Sequence, residues 1–184
     1  MLQQLLEHFK NYIDVGESDD SKDEVFLELL AYVEDYIYSV YGVAIIERTV
    51  VDILVPYYSP YTIYTKDGYI SSVNSLTIDD TDVDVTTLRF KRNKIVLSID
   101  SNITFNTTSS ISVNYTVGYA DITEVPGSLL NALFILAKKI YNDATKDTDT
   151  LSSISINIKE GVRVFESIPV MAATSLEPHR MYRI

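Results

Sequence analysis

The sequence predicts an α+β protein in which a small α-helical bundle carries a β-rich insert between its second and third long helices. Two stretches before residue 43 repeat apolar residues every three and four positions, which is the helical period. Residues 43–118 are instead rich in Val, Ile, Thr and Tyr, which favour strands. A third helical pattern begins at Pro126. A C-terminal β-hairpin and an extended tail complete the predicted fold.

The first two helices are expected over residues 2–14 and 22–41. Both place their apolar side chains on one stripe, which in the first helix consists of Leu2, Leu5, Leu6, Phe9 and Ile13. The segment from Ser21 to Glu24 has the form of a capping box, which starts a helix. Gly42 stands where a glycine commonly ends one.

The insert contains six candidate strands separated by short turn sequences. They are residues 44–55, 61–65, 70–78, 83–90, 94–99 and 111–117. Ser112 to Val117 alternates cleanly, so one face of the last strand is expected to be buried.

The third helix is predicted over residues 126–143, where a wide apolar face suits the centre of a bundle. Residues 1–150 are therefore predicted to form the bundle with its insert. Residues 151–184 follow as a C-terminal part. Alternating Ile residues before a Lys-Glu-Gly turn indicate the hairpin, and Pro169 and Pro178 indicate the extended tail.

The composition argues against an enzyme and against a bound metal or cofactor. The chain has no Cys, which excludes a disulfide scaffold, a thiolate metal site and a Cys nucleophile. Two histidines, His8 and His179, are too few for a multi-histidine metal site in one subunit. The sequence contains no nucleophile elbow, phosphate-binding loop or zinc-binding His-Glu helix. A carboxylate hydrolase stays open as the enzyme alternative, because sequence cannot show whether two carboxylates face a cleft.

No membrane partner is expected, since the longest apolar run, residues 129–137, is far shorter than a membrane span. The N-terminus lacks the basic and apolar regions of a signal peptide. We therefore expect a soluble protein that folds in a cytoplasm.

The negative charge is concentrated at the start of the chain. Residues 1–42 contain ten acidic and two basic residues, a net charge of −8 within a total of −11. A chain this acidic is not expected to bind duplex DNA through its overall field. Four of these acids lie in the second predicted helix: Glu24, Glu28, Glu34 and Asp35.

Two surface features are candidates for a partner or subunit interface. The basic cluster consists of Arg89, Lys91, Arg92 and Lys94. It suits an acidic neighbouring subunit or a phosphate backbone, and a solvated hairpin tip is the simpler interpretation. A tyrosine cluster surrounds Pro56 and Pro60 and includes Tyr57, Tyr58 and Tyr61. Tyrosine is common at interfaces and sugar-binding surfaces, and ordinary strand packing explains it equally well.

An acidic turn precedes the basic cluster. Asp80, Asp82 and Asp84 have the spacing that starts a calcium-binding loop. Val85 stands where that loop needs Gly, and Lys91 stands where it needs a bidentate Glu. A solvated acidic turn between strands is therefore the favoured interpretation.

One phrase of the sequence resembles a known family. Val113 to Tyr119 reads V-N-Y-T-V-G-Y and is followed by Val125, Pro126 and an apolar helix. This resembles the head–tail connector (adaptor, or head-completion) family of tailed bacteriophages, in which a V-x-Y-x-x-G-Y strand precedes V-P and a helix of the form L-x-x-A-x-x-x-L-A. The N-terminal helices, the paired strands before the acidic turn and the phrase from Leu176 to Arg180, L-E-P-H-R, agree with the family pattern.

The resemblance implies a structural virion protein rather than an enzyme. Such proteins form a ring of about twelve copies in the neck, between the portal of the DNA-filled capsid and the tail or a stopper protein. Genomic DNA passes through the ring without sequence-specific binding. The implied location is the virion neck, with the host cytoplasm as the site of assembly.

The resemblance also assigns expected roles to residues. The portal-docking residues would be Leu176, Pro178, His179, Arg180, Tyr182 and Arg183. The acids Glu24, Glu28, Glu34 and Asp35 would face the channel and repel DNA phosphates. The competing class is another neck or tail component, or a β-rich, tyrosine-rich appendage that binds a surface.

Overall fold

The computed structural model describes residues 1–14, 20–54, 61–97, 106, 108–146 and 169–180, with side chains as far as residue 143 in the third helix. Over these residues the chain forms four α-helices and two antiparallel sheets, which confirms the α+β class. It divides into two compact units. The helical unit comprises Met1–Tyr41 and Ala120–Arg180, and the β unit comprises Gly42–Tyr119.

The helical unit packs around aromatic side chains. Its helices are α1 (Leu2–Tyr12), α2 (Asp23–Tyr41), α3 (Gly127–Lys146) and α4 (Val170–Leu176). The centroid of the Phe9 ring lies 5.5 Å from that of Phe26 and 5.8 Å from that of Phe134, so one ring joins three helices. The first three helices are confirmed, and each of their ends lies within three residues of the prediction.

The β unit contains seven strands in its described part. They are β1 (Arg48–Leu54), β2 (Thr62–Tyr64), β3 (Ile70–Ile78), β4 (Thr81–Asp82), β5 (Arg89–Lys91), β6 (Lys94–Val96) and β7 (Ile111–Val117). One sheet has the order β1-β7-β3-β4 and the other β2-β6-β5, with all pairs antiparallel. As predicted, β7 buries one face, which carries Ile111, Val113, Tyr115 and Val117.

Strand β1 lies at an edge of the four-stranded sheet and reverses the usual pattern of burial. The side chains of Val51 and Ile53 are 63% and 74% exposed, whereas Asp52 between them is 4% exposed. In the pairing with β7, Asp52 lies opposite Val113. A carboxylate therefore occupies the inward position of this strand.

The strand predicted over residues 83–90 is wrong for most of its length. Val85–Thr87 form a 3-10 turn, and extended pairing starts only at Arg89. The cause is Asp84, whose carboxylate accepts hydrogen bonds from the Thr86 hydroxyl at 2.7 Å and the Thr86 amide at 3.0 Å. An aspartate that caps a turn in this way competes with strand formation. The same bonds lower the pKa of Asp84.

The extended tail predicted from Pro169 onward is also wrong over its described part. Val170–Leu176 form helix α4, and Glu177–His179 continue it as a 3-10 turn. Ala172 and Leu176, four residues apart, are both fully buried, and α4 packs on α3. Burial of this pair supplies the stability that a seven-residue helix lacks in isolation. The predicted hairpin over residues 152–165 lies outside the described residues.

Candidate docking surfaces

Three of the six candidate docking residues, Leu176, His179 and Arg180, contact other parts of their own chain. Leu176 has an exposed fraction of 0%, so it belongs to the core of the helical unit and is not available on a docking surface. The Nε2 atom of His179 lies 2.7 Å from the Ser128 hydroxyl at the start of α3. Pro178 is exposed. Tyr182 and Arg183 lie outside the described residues.

Arg180 is held by two contacts. Its guanidinium lies 5.0 Å from the centroid of the Tyr41 ring, and it donates to the Glu177 carboxylate at 2.9 Å. A cation over a ring is attracted by the negative face of the π system. Burial raises the pKa of the Tyr41 hydroxyl, and the charge of Arg180 partly offsets that shift. Arg180 therefore fastens the end of the segment to helix α2.

The four acids expected to face a channel have different environments on α2. Glu24 and Asp35 are exposed, and Glu28 is half-buried. Glu34 is 2% exposed, so the expectation that it faces a channel is wrong. Helical spacing explains its burial, because Glu34 lies four residues after Leu30 and three before Ile37, both of which are core residues.

The basic cluster forms the tip of the hairpin between β5 and β6. All four of its cationic side chains are exposed, as is Phe90 between two of them. Strand β5 is the edge of its sheet and has no buried residue. Tyr61 is half-buried beside the same sheet, where its carbonyl accepts a hydrogen bond from the Leu97 amide at 2.9 Å. Tyr57 and Tyr58 lie outside the described residues.

A buried polar network, which sequence reasoning missed, stabilises the segment next to this hairpin. The Tyr115 hydroxyl donates to the Asp52 carboxylate at 2.6 Å, and the Lys66 amide donates to the same oxygen at 3.0 Å. The Lys66 ammonium lies 3.8 Å from the other carboxylate oxygen. Burial and the adjacent carboxylate of Asp52 raise the pKa of Tyr115, which keeps its hydroxyl protonated as a donor.

The network fixes the position of the basic cluster. Lys66 lies in the connection between β2 and β3, and an amide at each end of that connection bonds to the hairpin tip. The Thr65 amide donates to the Asn93 carbonyl, and the Ile70 amide donates to the Arg92 carbonyl, both at 3.0 Å. These hydrogen bonds hold the backbone of the hairpin tip that carries the four cations.

The V-x-Y-x-x-G-Y phrase has a structural explanation in the β unit. Val113 and Tyr115 point into the core with exposed fractions of 0%. Gly118 has a φ angle of +93°, and a Cβ atom there would lie 2.6 Å from the Ile46 carbonyl oxygen. Only glycine fits a backbone that close with a positive φ. The phrase is therefore explained by core packing of Val113 and Tyr115 and by the close approach of the Gly118 backbone to that of Ile46 (the chain crossing).

The helical unit contains a polar cavity, and no metal-binding cluster is found among the described residues. Among them, no group of three or more His, Asp or Glu side chains could hold a metal ion. A cavity of about 420 Å³ in the helical unit lies beside Lys10, which pairs with Asp23 at 2.9 Å and Asp20 at 3.2 Å. These hydrogen bonds, above all that to Asp23, raise the pKa of Lys10. No described helix is long and apolar enough to cross a bilayer.

Comparison with solved structures places the fold among phage-like particles. No protein-family model matches the sequence, and neither does any curated protein. A chain from the neck of an empty gene transfer agent (GTA) particle, computed with C6 symmetry, is similar with a TM-score of 0.64 and 17% identity, over 97% of this chain and 90% of that one. A chain from the virion of the native GTA particle gives a TM-score of 0.64 and 18% identity, over 100% and 90% of the two chains.

A third similar chain comes from the neck of the native GTA particle computed with C12 symmetry. Its TM-score is 0.59 at 18% identity, over 90% of this chain and 86% of that one. At this level of identity the likeness shows a shared fold. The likeness extends over nearly the whole length of both chains.

Proposed function

We propose that this chain is a structural neck protein of a tailed-phage-like particle, in which copies form a ring adaptor between portal and tail. The observation that carries the proposal is the likeness to GTA neck chains at a TM-score of 0.64 over 97% of this chain. The head–tail connector phrase at residues 113–126 points independently to the same kind of protein. The work of such a protein is binding and sealing, which needs no catalytic group or cofactor.

The ring is supported by the symmetry of the similar particles. Their necks were computed with C6 and C12 symmetry, which are the symmetries of closed rings. We infer a ring of about twelve copies here, with the portal on one side and the tail or a stopper protein on the other. Genomic DNA passes through its channel. The exposed acids Glu24 and Asp35 and the half-buried Glu28 are assigned to the channel wall.

The experiment that tests the proposal is immunogold electron microscopy of particles released from the source organism, with antibody against this chain. We expect label at the neck, between capsid and tail. Label on fibres or baseplate would instead assign the chain to a surface-binding appendage. Particles that never carry the label would contradict a virion role altogether. An antibody against the major capsid protein serves as the positive control.

A further inference from the structure

Two oppositely charged surfaces lie close together in the sequence of the β unit. The acidic turn (residues 79–84) carries Asp79, Asp80, Asp82 and Asp84, and all four side chains are exposed. The basic cluster carries four exposed cations within residues 89–94. The acidic turn belongs to the β3–β4 end of one sheet, and the basic cluster belongs to the β5–β6 hairpin of the other. One copy therefore presents both signs of charge at separate places.

The two surfaces do not neutralise each other within the chain. Among the described residues, no ion pair involves any cation of the basic cluster or any carboxylate of the acidic turn. Lys91 and Lys94 are directly opposite each other in the β5–β6 pairing. Like charges at directly opposed positions destabilise a hairpin. In a single copy the repulsion between these two lysines is therefore unrelieved, and a negatively charged partner would reduce it.

Both surfaces are held in place by the backbone. Asp79 and Asp80 occupy positive φ angles of 49° and 62° in a tight turn, and the Ser110 amide donates to Asp79 at 2.8 Å. Arg92 has a φ of 54° in a turn anchored by the amides of Thr65 and Ile70. Charges on turns fixed in this way are presented without a large loss of loop entropy on binding.

We propose that the acidic turn of one copy contacts the basic cluster of the next copy, in a head-to-tail interface that repeats around the ring. This inference rests on the ring proposed above. Two different surfaces on one chain are what a heterologous contact requires, and such contacts close into rings when the rotation allows it.

The charge of the whole chain favours a second copy over DNA as the partner. Outside residues 89–94 the chain carries 11 basic and 26 acidic residues, a net charge of −15. That field repels a polyanion such as DNA and also repels other copies. A local pairing of opposite charges overcomes the repulsion between copies in one orientation only, which sets the order of subunits.

The test reverses each surface separately in the full-length protein. Variant A is Asp80→Lys with Asp82→Lys, and variant B is Arg89→Glu with Lys91→Glu. None of these four side chains has a hydrogen bond or ion pair among the described residues. Asp80 has a φ of 62°, which lysine tolerates less well than aspartate, but one strained turn residue is not expected to prevent folding. Variant A then carries two basic surfaces, and variant B carries two acidic surfaces. Circular dichroism and thermal unfolding verify the folded state of each.

We expect wild-type self-association, measured by sedimentation velocity at low salt, to weaken at least about tenfold in A alone and in B alone. An equimolar mixture of A and B restores association, because each variant now complements the other. The restored association disappears in about 1 M NaCl, where the screening length is about 3 Å. A control variant, Glu7→Lys with Glu124→Lys, makes the same charge change as A at exposed sites of the helical unit and retains wild-type association.

A mixture that associates no more tightly than A or B alone would overturn the inference. A second result would also overturn it: the wild type binds a random-sequence DNA duplex, variant B does not, and the mixture of A and B fails to associate. The partner of the basic cluster would then be nucleic acid. These outcomes are independent of the neck proposal. If the neck is labelled but the mixture does not associate, the contact between ring subunits lies elsewhere on the chain. If the mixture associates but the neck is not labelled, the protein self-associates at a different site of the particle.

Discussion

The Asp52 carboxylate joins two parts of the β unit that lie far apart in the sequence. It accepts hydrogen bonds from the Tyr115 hydroxyl and the Lys66 amide while it is 4% exposed. A buried carboxylate without such partners would be strongly destabilising. Asp52 and Tyr115 stand 63 positions apart, and no local pattern pairs them. This network could be found only once the register of β1 and β7 was known.

Gly118 is the position at which a single methyl group has the clearest consequence. We expect Gly118→Ala to destabilise the protein by about 1–3 kcal/mol from its positive φ alone, with a further cost because the new Cβ meets the Ile46 carbonyl oxygen. Urea unfolding measures the change.

Gly127→Ala is the matched control for that substitution. No atom lies within 4 Å of a Cβ placed at Gly127, which is the first residue of α3. This variant should be neutral or more stable by up to about 1 kcal/mol. Equal unfolding midpoints for the two alanine variants would contradict the argument from the chain crossing at Ile46.

The helices and strands whose apolar residues repeat regularly along the sequence were predicted correctly. Elements whose structure depends on a single polar contact were not. Strands β3 and β7 have the bounds expected from the sequence, residues 70–78 and 111–117. The turn at Val85–Thr87 depends on a single aspartate cap, which a β-rich composition conceals. Helix α4 is too short to show a helical repeat, and two prolines suggested extended chain. The spacing of Glu34 from Leu30 and Ile37 was the signal available for its burial.

Because the segment from α4 to Arg180 packs on the helical unit, a test of the portal-docking residues must leave it in place. A deletion that begins at residue 176 removes Leu176 from the core and is expected to cost about 2–5 kcal/mol by analogy with Leu→Ala substitutions. Deleting only residues 181–184 removes Tyr182 and Arg183 and leaves the Arg180–Tyr41 and His179–Ser128 contacts in place.

We expect the deletion of residues 181–184 to abolish docking to the portal while helix content and unfolding temperature stay at wild-type values. Arginine and aromatic side chains are the usual anchors of such contacts. Co-sedimentation of the protein with isolated portal rings measures docking, and circular dichroism measures the fold. Full docking by the shortened chain would remove Tyr182 and Arg183 from the docking residues.

For the whole molecule, the proposed passage of DNA through the ring makes a prediction about the charge of α2. Neutralising the acids of α2 by Glu24→Gln, Glu28→Gln and Asp35→Asn is expected to impair DNA retention or ejection, because phosphates then meet a channel wall with less repulsion. The measurement is the titre of DNA-delivering particles relative to the number of assembled particles.

A control set makes the same change in charge away from α2: Glu7→Gln, Asp14→Asn and Glu124→Gln, all exposed in the helical unit. These variants should deliver DNA normally. Normal delivery by the α2 variant as well would count against a channel-facing role for that helix. Glu34 is left unchanged in both sets, since its burial places it in the core.

The reversed burial in β1 has a consequence for how the strand finds its partner. A slip of one residue would turn Val51 and Ile53 inward in place of the half-buried Val50 and Leu54, and it would release Asp52 to water. In the native alignment the Asp52 carboxylate instead meets the Tyr115 hydroxyl, a contact that a slip of one residue would break. The register of β1 is therefore specified by a buried hydrogen bond, and Val51 and Ile53 stay exposed to solvent as a result.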